Sequence, residues 1–282
     1  MRLLQWNIQW CRGMDGVVDP ARIARVAKGL ADPDVACFQE VAINFSTLAG
    51  SSGEDQVALL RREFPGHAAA FAVAVDVPDA TGGRRQFGNL LLSRYPLRQV
   101  FRHTLPWPPE PGKPSMPRIA VEAVVEAPFG PLRVTTTHLE FYSARQRAAQ
   151  VERLRDLHAE ACAHAGTPAD GQYRSGPFEP YARPLPAILT GDFNMKPDDP
   201  ACVRLGAPFA GHTARLVDAW VHAHPGVAHP PTFCIYEKEH ARQPYSCDFV
   251  LLSEDLLARL KSVRIDAHTQ ASDHQPVIVE LA

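Results

Sequence analysis

Near its C-terminus the chain reads Ala271-Ser272-Asp273-His274-Gln275-Pro276-Val277, a carboxylate and an imidazole set side by side just before the apolar run Val277-Ile278-Val279. A run of this kind reads as a buried β-strand. Adjacent side chains on an extended segment face opposite ways, but at a strand end both can turn toward one site. There Asp273 can hold a cation or a water's proton while His274 accepts a proton. An Asp-His pair standing alone is ordinary solvated surface; recurrence of the pattern at other strand ends gives it weight.

The pattern does recur. Residues 3–8 read as a first strand that delivers Asn7, and Val35-Ala36-Cys37-Phe38 as a buried strand ending in Gln39-Glu40. Residues 119–126 and 132–139 form an antiparallel hairpin across the turn Pro128-Phe129-Gly130-Pro131, with His138 at its far end. Ala187-Ile188-Leu189-Thr190 leads into Gly191-Asp192-Phe193-Asn194, where glycine permits a sharp turn and two oxygen-bearing side chains face the same way. Residues 247–252 are a buried strand led by Asp248, whose carboxylate needs a partner to be buried.

Between these strands, Asp19 caps a helix begun at Pro20, with Ile23, Val26, Ala27 and Leu30 at helical spacing. A short helix spans residues 55–64, and strands 67–75 and 87–93 flank the turn Gly82-Gly83. Residues 105–117 are crowded with proline, carry Trp107 and read as an exposed loop. Ser143 caps an amphipathic helix running to about Ala163. Residues 166–186, with Tyr173, Phe178 and Tyr181, read as a lid or insertion. Residues 216–220 are a short amphipathic piece, and His222, His224, His229 and His240 lie in a Pro-rich stretch without a metal-binding register, so exposure is expected.

The length of 282 residues with 45% hydrophobic content suits one α/β domain over 1–282, and no repeat period is visible. A net charge of −2 excludes general adhesion to nucleic acid or anionic membranes. The six cysteines contain no CxxC and read as reduced core residues of a cytoplasmic protein. No signal peptide is expected, and no stretch approaches the roughly 20 apolar residues of a membrane span.

Asn7, Glu40, His138, Asp192, Asn194, Asp248, Asp273 and His274 thus gather at strand ends. Oxygen ligands without thiolates favour a hard cation, Mg²⁺ or Mn²⁺, and two imidazoles suit acid-base work on a phosphate ester. With Trp6-Asn7-Ile8, Gln39-Glu40-Val41, Gly88-Asn89, Thr137-His138-Leu139, Gly191-Asp192-Phe193-Asn194, Asp248-Phe249-Val250-Leu251 and Ser272-Asp273-His274-Gln275-Pro276, the chain resembles the endonuclease/exonuclease/phosphatase (DNase I-like) superfamily along nearly its whole length.

That resemblance implies a four-layer α/β sandwich of two packed, mainly antiparallel sheets flanked by helices. It implies a metal held chiefly by Glu40 with Asn7 and Asp273 nearby. Asp192 and Asn194 would position water and phosphate, His138 would donate to a phosphate oxygen, and His274, oriented by Asp248, would be general base or electrostatic partner. The segment Glu140-Phe141-Tyr142-Ser143 followed by Arg147 and Gln150 is similar to a bacterial metal-dependent hydrolase branch and to the sphingomyelinase-like branch. A small or lipid-derived phosphate ester is the favoured substrate. A nuclease would need a basic groove built from Arg84, Arg85, Trp107 and Arg118. A catalytically inactive binding scaffold is the third reading.

Overall fold

The structure is a computed structural model that describes residues 1–79, 82–167, 176–179, 181, 183–211, 213–237 and 243–282. One sheet has the order β11(Leu260–Ile265), β12(Val277–Leu281), β1(Arg2–Asn7), β2(Val35–Ile43), β4(Arg84–Ser93), β3(Ala68–Pro78). The other runs β5(Leu97–Thr104), β6(Ile119–Ala127), β7(Gly130–His138), β8(Ala187–Asp192), β10(Asp248–Ser253), β9(Leu216–Asp218). Each sheet holds one parallel pair, β1 with β2 and β7 with β8; the other pairings are antiparallel. Both sheets are therefore mixed.

The two-residue period of the strands decides what lies where. On β1, Leu4 and Trp6 face outward and pack under α1(Pro20–Leu30) against Ile23, Ala24 and Ala27. Leu3 faces the opposite way, into a core shared by the two sheets with Val121, Val134, Ile188 and Val250. The outer face of the second sheet, through Leu189, Phe249 and Leu251, is covered by Val151 and Leu154 of α3(Ala144–Gly166). The result is helix, sheet, sheet, helix. Each fully buried side chain such as Leu4, Ile23 or Leu90 contributes about 1.5–3 kcal/mol relative to exposure.

The helix starts follow from capping chemistry. Asp19 Oδ1 accepts from the Arg22 N–H with Pro20 at the first helical position, and Ser143 Oγ accepts from the Gln146 N–H at 3.0 Å. Each satisfies one of the orphan donors at a helix start and contributes on the order of 1 kcal/mol. Among the described residues no helix is long and apolar enough to cross a membrane.

Some elements depart from the sequence reading. β5 is an edge strand whose exposed Arg98 and Arg102 hide its alternation. α4(Pro200–Leu205) is a single short turn capped by Asp199, with too few residues to show a helical period. β2 does not end at Phe38; it continues to Ile43, so Glu40 lies within a strand. The 105–117 loop is exposed only in part, because Leu105 is buried and Pro108 accepts from the Gln146 amide of α3. His224 and His229 are packed rather than exposed: His224 Nε2 meets the Val263 carbonyl at 3.0 Å and His229 Nε2 meets Asp218 Oδ2 at 2.9 Å. His240 lies outside the described residues.

Within 166–186, Phe178 and Tyr181 are exposed, while Arg183 is buried in ion pairs with Glu122 and Glu160. That anchorage sits beside the start of β8, the opposite end of the strand from Asp192. No described residue of the segment borders the candidate site. Tyr173 lies outside the described residues.

Candidate functional site

Topology alone brings the polar strand ends together. β1 and β2 are parallel, so Asn7 and Glu40 emerge at one edge; β12 is antiparallel to β1, so the residues before Val277 arrive at that same edge. In the second sheet β7 and β8 are parallel with His138 opposite Asp192, and β10 is antiparallel with Asp248 opposite Asp192. The two edges face each other across a cleft of about 380 Å³. Glu40, His138, Asp192, Asn194, Asp273 and His274 all line it.

Glu40 reaches the cleft by a local irregularity. The β2–β4 register shifts between Phe38 and Val41, and Glu40 has φ 59°. Such a bulge inserts an extra residue and re-aims its side chain. With Phe38 and Val41 packed in the outer core and Gln39 bonded to Gln5 and Thr136 between the sheets, Glu40 is that extra residue. Asn194, with φ 51°, is likewise held in the left-handed region by its N–H bond to Asp192 Oδ1. Residues in this conformation store on the order of 1 kcal/mol or more of strain, as functional sites often do.

Hydrogen bonds settle which atoms face the cleft. The Gln9 N–H donates to Asn7 Oδ1, so the Asn7 amide turns its Nδ2 donors to Glu40 (3.0 Å) and Asp192 (2.9 Å). In this arrangement Asn7 holds the two carboxylates in place, with its Oδ1 engaged by the Gln9 N–H. Gln9 Nε2 donates to Asp273 Oδ2 at 2.8 Å, and Ser272 Oγ to Oδ1 at 3.2 Å.

Asn194 Nδ2 donates to the Leu139 carbonyl and to His138 Nε2, both at 2.9 Å. His138 Nε2 is thus an acceptor and its proton sits on Nδ1, 3.9 Å from Glu40 Oε1. Burial, aided by the Arg118 charge, pulls its pKa down to about 3, so the imidazole is neutral.

His274 is the opposite case. Burial pushes its pKa down, but the Asp248 and Asp192 charges, the Asp248 hydrogen bond and Asp273 outweigh it, and the net shift is well upward. Its Nδ1–H donates to Asp248 Oδ2 at 2.9 Å, and Nε2 lies 3.6 Å from Asp192 Oδ2. Asp248 is itself anchored by Thr232 Oγ1 (2.7 Å) and Gln5 Nε2 (3.3 Å). The Phe233 ring stacks on His274 at 4.3 Å.

The donor set fits a hard divalent cation. Burial first, and the Asp273 charge second, push the Glu40 carboxyl up to about 7; burial likewise raises Asp273. Glu40, Glu140, Asp192 and Asp273 line the cleft against one guanidinium, Arg118, and the His274 imidazolium. That excess of negative charge on buried oxygens is what a divalent ion with oxygen ligands relieves. Asp192, Cys247 and His274 also offer donor atoms within 4.8 Å of one another. The thiol there is a protonated neighbour, because burial raises the Cys247 pKa well above its usual value and its Sγ lies 3.6 Å from Asp248 Oδ2.

All eight expected residues gather here, with Asp248 one bond behind His274. Sequence reading missed Gln9, Thr232 and Phe233. Gln9 follows the Trp6-Asn7-Ile8 run and its position was the one available signal; Thr232 and Phe233 lie in a Pro-rich loop without periodicity. The four residues that a nuclease's basic groove would draw on do not converge. Arg84 pairs with Asp76, Arg85 lies over the Phe45 ring, Trp107 donates to Ser115, and of the four only Arg118 borders the cleft.

Two packed mixed sheets between helices, with an acidic and imidazole-bearing cleft where their strand ends meet, define a DNase I-like protein. The chain belongs to the Endonuclease/Exonuclease/phosphatase family, whose sequence profile matches residues 4–274; members of that family are phosphoester hydrolases. Among solved structures it is similar to an endonuclease/exonuclease/phosphatase from Beutenbergia cavernae, 24% identical with TM-score 0.63, covering 100% of this chain and 72% of that one. It is similar to another from Bacteroides vulgatus, 19% identical with TM-score 0.69, covering 100% and 98%. A mannosyl-6-phosphatase from Bacteroides thetaiotaomicron is 17% identical with TM-score 0.66, covering 100% and 99%. No curated protein matches the chain.

Proposed function

We propose that this chain hydrolyses a phosphate ester, monoester or diester, by in-line attack of water with a bound Mg²⁺ or Mn²⁺. The observation that carries the reading is the arrangement around Asp192, whose carboxylate meets Asn7, His138, His274 and the Asn194 N–H from both sheets at once. When bound, the cation draws charge from the phosphoryl oxygens and steadies the leaving oxygen.

Glu40 and Asp273 hold the ion. Asn7 fixes Glu40 and Asp192, and Gln9 fixes Asp273. Asp192 orients the attacking water and accepts its proton. His138, kept in one tautomer by Asn194, donates Nδ1–H to a phosphoryl oxygen. His274, charged and held by Asp248, offers Nε2–H to the charge that develops during transfer, as a preorganised donor does. The engagement of Arg84, Arg85 and Trp107 with other partners favours a small ester over nucleic acid, and the free, mostly buried thiols suit the cytoplasm.

The test is turnover of mononitrophenyl phosphate, bis-nitrophenyl phosphate, plasmid DNA and sphingomyelin with Mg²⁺, Mn²⁺ or chelator. Hydrolysis of at least one ester is expected with metal and not with chelator. Losses of about 10²–10⁴-fold are expected in Glu40→Ala and His274→Ala with the fold intact. Near-normal turnover in both variants overturns the reading.

A further inference from the structure

Arg118 enters the cleft one residue before β6, and its hydrogen-bonding capacity is only partly used. The side chain is 6% exposed. Its Nε donates to Glu140 Oε2 at 3.3 Å, while Nη1 is buried without a hydrogen-bond partner. Glu140 cannot follow a moving arginine. It is fully buried, its Oε1 accepts from the Tyr142 N–H, and its own N–H donates to Gln150 Oε1 on α3, both at 2.9 Å. The guanidinium is therefore aimed by a rigid carboxylate and left with an unused donor.

A buried donor on a charged group without an acceptor is costly, and in a folded protein it calls for an explanation such as a bound ligand. The position supplies one. Arg118 borders the same cleft as His138, Asp192 and Glu40, and a guanidinium fork matches the spacing of two phosphate oxygens.

Another part of the lining is of the opposite character: Trp10, Phe87, Met116, Phe141 and Tyr142. Tyr142 is 52% exposed, and its ring meets Phe141 edge-on at 4.8 Å. A polyanion needs cations to offset its phosphates, yet among the described residues Arg118 is the one Lys or Arg bordering the cleft.

Building on the phosphoesterase reading, we propose that Arg118 receives a non-bridging oxygen of the substrate phosphoryl group while the aromatic wall takes the esterified alcohol. The substrate class is a small phosphate ester of an apolar, ring-bearing alcohol. Arg118 supplies binding and charge neutralisation; the water proton still goes to Asp192.

The experiment measures inorganic phosphate binding by calorimetry, with and without Mg²⁺, and KM for phenyl phosphate, glycerol phosphate and a short oligonucleotide. Arg118→Gln alone strands a buried Glu140 charge, so the main variant is Arg118→Gln with Glu140→Gln, which removes both charges at similar volume. Arg118→Lys serves as the charge-retaining companion. The expected result is phosphate binding weakened about tenfold or more in the double variant, partly restored in Arg118→Lys, and a wild-type kcat/KM higher for phenyl phosphate than for the other two. Tyr142→Ser narrows the phenyl-to-glycerol ratio. Unchanged phosphate affinity in a folded double variant, or preference for glycerol phosphate or the oligonucleotide, overturns the proposal. If no ester is turned over but phosphate binding still depends on Arg118, the hydrolase reading fails while the anchoring role stands.

Discussion

Gly191→Ala tests whether the closeness of the two parallel strands is what sets the site. A methyl group at Gly191 would stand 2.0 Å from the Thr137 carbonyl oxygen and 2.9 Å from its carbon. Carbon and carbonyl oxygen come no closer than about 3.3 Å without strain, so β7 and β8 must part by about 1.3 Å. Neither neighbour is a flexible side-chain end; both are backbone. Overpacking of this kind costs about 1–3 kcal/mol. Gly191 also has φ 153°, a conformation that L side chains rarely adopt, which adds about 1–3 kcal/mol. The expected loss is therefore about 2–6 kcal/mol in urea unfolding followed by circular dichroism. Because Thr137 opposite Gly191 directly precedes His138 opposite Asp192, the part of the protein that stays folded should lose about 10²-fold in turnover. Gly66→Ala is the control: φ is 82° but no atom lies within 4 Å of the added carbon, so strain acts without a clash and turnover is untouched. A Gly191→Ala protein matching wild type within about 0.5 kcal/mol and in turnover would refute the reasoning.

Asp248→Asn leaves His274 without its anionic partner while keeping the shape. A charge-assisted hydrogen bond contributes about 1.5–3 kcal/mol, so kcat should fall about 10–150-fold with KM little changed, and a change confined to KM would count against the assigned role. His158 is on the buried face of α3, with Nδ1 accepting from Arg133 Nη2 at 3.2 Å and Nε2–H donating to the Ala214 carbonyl at 2.9 Å. Burial first, then the Arg133 charge, lower its pKa to about 4, against about 6.5 in the unfolded chain. Between those values the unfolded state binds the extra proton, so the contribution is complete above about pH 6.5 and is lost as pH falls through about 4. The decline amounts to about 3 kcal/mol. His158→Gln should flatten that limb of the stability profile; an unchanged slope between pH 6.5 and 4 would contradict it.

Much of this molecule is visible in its amino-acid order because its strands are short, apolar and punctuated by polar groups. The two-residue period separates Leu3 from Leu4 and so announces two buried faces, which is what a sheet covered on both sides requires. The polar residues after each run then fall at one edge once the parallel and antiparallel pairings are known. What remained hidden depends on detail below that period. The bulge that re-aims Glu40 arises from a register shift against β4, and nothing in Gln39-Glu40-Val41 itself marks it. The orientation of Asn7 is decided by a backbone N–H two residues on, a contact that residue types do not encode. Thr232 and Phe233 reach His274 from a loop whose path is set by tertiary contacts.

The most direct measurement of the central claim is calorimetric titration of Mg²⁺ and Mn²⁺ into the wild-type chain, Glu40→Gln and Asp273→Asn, each checked for fold by circular dichroism. Saturable binding to wild type is expected, weakened about tenfold or more when either carboxylate becomes an amide, as for loss of one charged oxygen ligand. Equal affinity in all three proteins, or no binding to wild type, would contradict a metal-assisted phosphate chemistry at this cleft.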